Sequence, residues 1–476
     1  MSEYAFDLVV IGVGSAGMTA GEVAPKMGIK TAMVERGRVG GDCLWTGCVP
    51  SKALIASANV AYGMRQAAEF GLAASAPDID TALVLNRVRR IQNEIASTDD
   101  NPQKYADAGV EMVYGQASLV DGHTVRVGER TITTKFILIA TGSRALPPKI
   151  ANLDEIGYLS SENLFEQERA PRSMLIVGGG PIAIEMAQAH HRLGVQVTVL
   201  QRAARILERD EPSLSDRLLA LLRGEGIDVQ VDVMLDRAEV TDGGRTLHGT
   251  VAGEQRSWSA EQVLVAAGRQ PNIENLGLEQ AGVATGPKGI IVDKNMRSSV
   301  ESVYACGDVA GRFLFTHSAA AEAVAAMRNM FFPLTKPAPS LIPWATFTDP
   351  ELAHVGMTSI EAHEEIGDGA KVFRWALSHN DRARTEQATE GEIVVVTDAK
   401  FKVLGAHILA PGAGEMIGQW TLAIANELRL TPDFGNLVQV YPTLSTAFSQ
   451  LAGDATYAQL KKPFLQTVRK IYGRLS

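Results

Sequence analysis

The sequence predicts an α/β protein made of two doubly wound units and a smaller α+β domain after them, and three observations carry that expectation. Two segments, DLVVIGVGSAGMTAGEVA from Asp7 and SMLIVGGGPIAIEMAQAH from Ser173, share one order of events: an apolar strand, a glycine-rich turn and the start of a helix. Their first glycines, Gly12 and Gly178, lie 178 − 12 = 166 positions apart, far too distant for a repeat array. Beyond the proline-rich break FFPLTKPAPSLIP, strand-like EIVVVTD and KVLGAHIL mix with helix-like EMIGQWTLAIANEL, as in an α+β domain.

Bulk properties narrow the function. A chain of 476 residues with 46% hydrophobic side chains can fill several cores. A net charge of −9 argues against nucleic acid as a ligand, because phosphate neutralisation needs clustered Lys and Arg. The opening MSEYAFDLVVIGVG lacks the basic start of a secretory signal, and no apolar run approaches the roughly 20 residues that cross a bilayer. Three cysteines do not make a disulfide framework, so a cytoplasmic location is expected and any disulfide should be catalytic or regulatory.

In the first turn, Gly12, Gly14 and Gly17 would permit a tight bend, a close approach to a pyrophosphate and helix packing on the strand. Glu35 follows the next strand, where a carboxylate can accept ribose hydroxyl protons. Thr81 to Ser97 reads as a helix, and alternating segments then lead to KFILIATGS.

The second turn offers Gly178, Gly180 and the small Ala183. Glu35 lies 35 − 12 = 23 positions after its first glycine, and the same offset from Gly178 reaches Gln201. The ribose carboxylate is missing there, while Arg202 and Arg205 could pair a 2′-phosphate, so NADPH is expected in preference to NADH. Further on come AAGRQPN, VYACGDVAGRFLFTHSAAAEA and a second helix start near Thr316.

Cys43 and Cys48 sit in GGDCLWTGCVPSKAL. On an ideal helix, residues five apart have Cα atoms roughly 8–9 Å apart, whereas disulfides rarely exceed about 7 Å. A bridge would therefore need a distorted turn, which Gly47 and Pro50 can provide, and such a bond is readily reduced. The alternative is two unrelated thiols.

This segment resembles the active-site signature of the pyridine nucleotide-disulfide oxidoreductases, the family of dihydrolipoamide dehydrogenase, glutathione reductase and mercuric reductase. ATGS with Thr141 and Gly142, AAGRQPN with Gly268, ACGD with Asp308, and FTDPELAHVG from Phe347 are similar in order and spacing. The resemblance implies a homodimer with two Rossmann-like nucleotide-binding domains, for FAD and NAD(P), plus a C-terminal α+β dimerisation domain. The expected division is 1–150 and 271–340 for the FAD domain, 151–270 for the NAD(P) domain, 341–455 for dimerisation, and a basic amphipathic tail over 456–476.

By the same resemblance Gly12, Gly14, Gly17, Glu35, Lys52, Thr141, Gly142 and Asp308 would contact FAD, and Gly178, Gly180, Arg202 and Gly268 the pyridine nucleotide. Cys48 would lie against the flavin as a thiolate, and Cys43 would be the exposed thiol that meets the acceptor. Lys52 and Glu185 would pair beside the flavin edge. Cys306 is expected to be a packed cysteine without redox duty, and no resident metal site is expected.

One segment departs from the family pattern. Members that reduce lipoamide or glutathione disulfide carry a histidine and a nearby glutamate that reach across the dimer as a general base, but here Tyr441 and Thr446 stand in their places. A tyrosine of pKa near 10 is no base at neutral pH, although its hydroxyl could donate to a thiolate or ligand. Mercuric reductases resemble this chain in carrying Tyr-Pro-Thr, yet they present a cysteine pair at the C-terminus, and the tail LKKPFLQTVRKIYGRLS has none. The acceptor, a small molecule or a protein disulfide, stays open among a disulfide, a metal ion and a quinone. A redox-sensing flavoprotein is the reading from another class. The tail places Phe464, Leu465, Val468, Ile471, Tyr472 and Leu475 on one helical face opposite basic residues, which suggests packing on the dimer more than membrane association.

Overall fold

The computed structural model describes residues 4–460 and Ile471. The first unit begins with β1 (Phe6–Ile11), α1 (Ser15–Lys26) and β2 (Thr31–Glu35), followed by two helices, α2 (Gly41–Trp45) and α3 (Cys48–Gln66), and by α4 (Thr81–Ser97). β1 reads FDLVVI and is buried along nearly its whole length, as a central parallel strand covered on both faces must be. α4 has the expected bounds, and its start is set by Asp80, whose carboxylate accepts from Ala82 N at 2.9 Å.

The strand Arg130–Ile139 joins two regions of the first unit. Its first half pairs antiparallel with Thr124–Val127, while its second half runs parallel to β1. Val303–Ala305, from far along the chain, adds in parallel on its other side. The sheet is thus completed by chain on both sides of the second unit. That second unit has an all-parallel five-stranded sheet, with Ser173–Val177 central between Gln196–Leu200 and Gln262–Val265. A three-stranded antiparallel meander, Val233–Ala260, flanks it.

The last domain is a five-stranded antiparallel sheet from Trp344 to Ala410, with the helix Ala413–Ala425 packed on it through Met416, Ile417 and the fully buried Trp420. A final helix, Thr446–Leu460, runs across the division expected at 455/456, so the described part of the tail continues a domain helix. Of the residues assigned to the tail's apolar face, all but Ile471 lie outside the described residues. Among the described residues no helix is long and apolar enough to cross a membrane.

Candidate active site

Both glycine turns lie at the carboxyl ends of parallel strands and open onto one cleft of about 1910 Å³, beyond the range of a typical single-ligand pocket. Gly12 has φ +94°, and a Cβ there would come 2.5 Å from Ala140 O. Gly178 repeats the arrangement at φ +122°, with Ala266 O at 2.5 Å. In both units the turn passes too close to the next strand's end for any side chain. Gly14 and Gly180 sit at the N-termini of α1 and of the helix Pro181–Arg192. A bare backbone cradle, twice repeated, fits two pyrophosphate-bearing nucleotides.

Around the first turn, Glu35 Oε2 accepts from Val13 N at 2.7 Å and Oε1 from Gly37 N at 2.8 Å. Each oxygen therefore already serves the turn, and a ribose would share it. Gly142 has φ +67°, and Thr141 is tied to Asn272 by two hydrogen bonds of 2.8 and 2.9 Å. Asp308 accepts from Ser143 Oγ at 2.5 Å and lies 3.4 Å from the Arg269 guanidinium, while burial raises its pKa. Arg269 also pairs with Asp42, and Gly268 lines the same cleft. Arg269 and Asp42 were missed by the sequence reading, and their 227-residue separation offers no local signal.

The helix breaks between the two cysteines, as the spacing requires: α2 ends at Trp45, Thr46 and Gly47 leave helical geometry, and α3 starts at Cys48. Buried Gln92 of α4 donates to Leu44 O at 3.0 Å and Trp45 O at 2.9 Å, which satisfies carbonyls freed by the break. Both cysteines are free thiols here. Both cysteines line the large cleft, Cys43 half-buried and Cys48 exposed.

Cys48 Sγ is 3.3 Å from Thr316 Oγ1 at the start of the helix Thr316–Phe331. The Cys48 thiol is lowered to about 6, first by its hydrogen bond with Cys43, then by Thr316 and the charge of Lys52, against the opposing effect of burial. The same bond pushes Cys43 up. Of the two thiols, these surroundings favour ionisation of Cys48. Lys52 Nζ meets Glu185 Oε2 at 2.8 Å and lies 4.3 Å from the Phe347 ring centre. Glu185, 5% exposed, also accepts from Phe347 N at 3.0 Å, so the ammonium is held from two domains. Cys306 is buried and its thiol is raised by desolvation.

On the other nucleotide side, Gln201 is buried against Gly179 and exposed Arg202 lines the cleft. The expected arginine fork is not formed, because Arg205 turns to Asp216 at 2.8 Å. Tyr441 does not line the cleft within one subunit; it is exposed and donates to Asp381 Oδ2 at 2.9 Å. The Thr446 hydroxyl donates to Thr443 O at 2.6 Å, at the start of the last helix. Among the described residues, no group of three or more His, Cys, Asp or Glu could hold a metal ion.

A twice-repeated nucleotide cradle and a thiol pair on one cleft define a flavoprotein of the disulfide-reductase class. Residues 6–323 match the pyridine nucleotide-disulphide oxidoreductases and residues 342–452 match the dimerisation domain of that family. The chain belongs to this family, which is FAD-dependent and uses a pyridine nucleotide, and the matched dimerisation domain suggests a homodimer. It is 35% identical over 428 residues to a mercuric reductase of Bacillus cereus, covering 88% of this chain and 67% of that one. It is also 35% identical over 467 residues to dihydrolipoyl dehydrogenase 2 of Haloarcula marismortui, covering 94% and 96%. The Cu(II) complex of the HOCl-induced flavoprotein disulfide reductase RclA of Escherichia coli superposes with a TM-score of 0.83 at 25% identity, over 95% of this chain and 99% of that one.

Proposed function

We propose that the protein is an NADPH-dependent flavin disulfide reductase that passes electron pairs to Cys43 and Cys48 and on to an acceptor in the cytoplasm. The carrying observation is that both glycine cradles, the Lys52–Glu185 pair and both thiols line one cleft. Bound FAD supplies the two-electron relay between pyridine nucleotide and cysteines. Gly12, Gly14, Gly17, Glu35, Thr141, Gly142 and Asp308 hold it, and Gly178, Gly180, Arg202 and Gly268 hold NADPH. The hydrogen bond with Cys43, the Thr316 hydroxyl and the positive charge of Lys52 together favour the ionised form of Cys48. Cys43 attacks one sulfur of an acceptor disulfide, and the other sulfur leaves and takes a proton. The Cys48 thiolate then attacks Cys43, which closes the Cys43–Cys48 disulfide for another reduction and releases the second sulfur as a thiolate that takes its proton from water.

The test is an anaerobic NADPH titration. One equivalent should produce the long-wavelength absorbance of a thiolate against oxidised flavin, and Cys48→Ser should abolish it. Because the thiol pKa is lowered to about 6, the band should hold above that pH and fade as pH falls through it. A band that survives Cys48→Ser would overturn the assignment of the two sulfurs.

Cofactor preference rests on Arg202 alone, since Arg205 is engaged by Asp216. A charge-assisted contact is worth roughly 1.5–3 kcal/mol, so Arg202→Glu should raise the KM for NADPH by about tenfold or more and leave that for NADH nearly untouched. Equal changes for both would assign Arg202 to the turn instead. A second reading is reduction of a soft metal ion held by both thiolates; it is supported by the mercuric reductase relative and the Cu(II) complex of the structural neighbour. Steady-state NADPH oxidation with Hg(II), Cu(II), lipoamide, glutathione disulfide and a quinone separates the two.

A further inference from the structure

The segment that carries Tyr441 is clamped by two consecutive residues from another element. Asn380, 1% exposed, donates through Nδ2 to Thr443 O at 3.2 Å and to Thr446 Oγ1 at 3.1 Å. Its Oδ1 accepts from Ala383 N at 3.0 Å and caps the short helix Asp381–Thr385. Asp381, the next residue, accepts the Tyr441 hydroxyl at 2.9 Å. A phenol has one proton, and here that proton is committed to a carboxylate. In this arrangement Tyr441 presents oxygen lone pairs toward any other group.

We propose that Asp381 is a positioning residue that turns Tyr441 into a proton relay for acceptor reduction, in place of the carboxylate that Thr446 does not supply. This rests on the reading that the acceptor meets Cys43 and that Tyr441 reaches it from the partner subunit. As Cys43 attacks the acceptor disulfide, its thiol proton passes to Tyr441 Oη while the phenolic proton passes to Asp381. The new bond is the mixed disulfide and the broken one is the acceptor's S–S bond. The leaving sulfur takes its proton back along the same path, so phenol and carboxylate end unchanged.

The charged neighbours are compatible with this path. Arg384 Nη1 lies 3.6 Å from Asp381 Oδ1 while its Nε donates to Ser378 O, and Arg382 is turned to Glu386. Tyr441 itself has its pKa raised by the hydrogen bond to Asp381, as a phenol donating to a carboxylate must.

Asp381→Asn keeps an oxygen to receive the phenol but cannot take its proton. Reduced enzyme is mixed separately with glutathione disulfide or lipoamide and with a quinone, which needs no thiol proton shuttle, and reoxidation is followed by absorbance. The ratio of disulfide to quinone rates should fall by roughly 10²–10⁴. Tyr441→Phe should give the same fall, with no further loss in the double variant. The tyrosinate absorbance that disappears in Tyr441→Phe should titrate at lower pH in Asp381→Asn. An unchanged ratio, equal slowing of both acceptor types, a fall without one in Tyr441→Phe, or a wild type inert to disulfides overturns the relay. A wild type without the thiolate–flavin band strikes the underlying reading instead.

Discussion

Gly12→Val should yield a folded protein that loses FAD on gel filtration, whereas Gly178→Val should keep its flavin and lose rapid reduction by NADPH. The two sites are equivalent in geometry, with a virtual Cβ 2.5 Å from Ala140 O in one and from Ala266 O in the other. Each has a φ in the left-handed half of the map, where a β-branched side chain costs on the order of 1–3 kcal/mol. The turn must therefore move, and it carries the N-terminus of its helix with it. Displacing a phosphate cradle by about 1 Å can cost roughly 10²-fold in a reaction that depends on alignment. Stopped-flow reduction by NADPH, with dithionite as the control, reads the second variant, and flavin absorbance after desalting reads the first. Loss of FAD from Gly178→Val, or its retention in Gly12→Val, would contradict the assignment of one nucleotide to each turn.

Much of this site was legible because chemistry and backbone demand the same residues. A left-handed turn against a neighbouring strand admits only glycine, so Gly12 and Gly178 announce themselves in the sequence. The offset of 23 then locates Glu35 and exposes its absence at Gln201. The cysteine spacing likewise required a broken helix, and the break occurs at Thr46 and Gly47. The meander over Val233–Ala260 was not legible, since its outward strand positions include Met234 and Val240, both exposed, and these blur the alternation that marks a strand.

Partnerships across the chain were the other blind spot. Arg205 stands three residues from Arg202, as a phosphate fork would, yet Asp216 on the next helix captures it. Gln92 reads as one polar position on an amphipathic helix, and only the fold reveals that it holds the carbonyls between the cysteines. The same holds for Asp381: the sequence shows that the carboxylate near Tyr441 is gone from its usual place, and the fold shows another carboxylate reaching the phenol from 60 residues away.

Arg192→Met should destabilise the protein by roughly 3–5 kcal/mol, the cost of breaking a buried ion pair from one side. The Arg192 side chain is 2% exposed and holds Glu225 through Nε at 2.6 Å and Nη2 at 3.1 Å, Asp349 at 2.8 Å and Asn59 Oδ1 at 2.7 Å. Its guanidinium carbon lies 3.8 Å from the centre of the Tyr62 ring. One side chain thus ties α3 of the first unit, two helices of the second unit and the loop before the strand Glu351–Gly356. Methionine fills much of the volume but leaves the Glu225 carboxylate, 11% exposed, without its cation. The energetic penalty is the stranded charge more than the lost contacts, so adding Glu225→Gln should recover part of the loss. Burial also shields the pair from screening, so the difference between wild type and Arg192→Met in urea unfolding should change little with salt. Arg192 ends the helix that carries Glu185, and a loosened end should lengthen the Lys52–Glu185 contact and slow reduction by NADPH as well. A variant within about 1 kcal/mol of wild type, the level of an ordinary surface pair, would mean that water reaches Glu225 and that this junction does not hold the domains together.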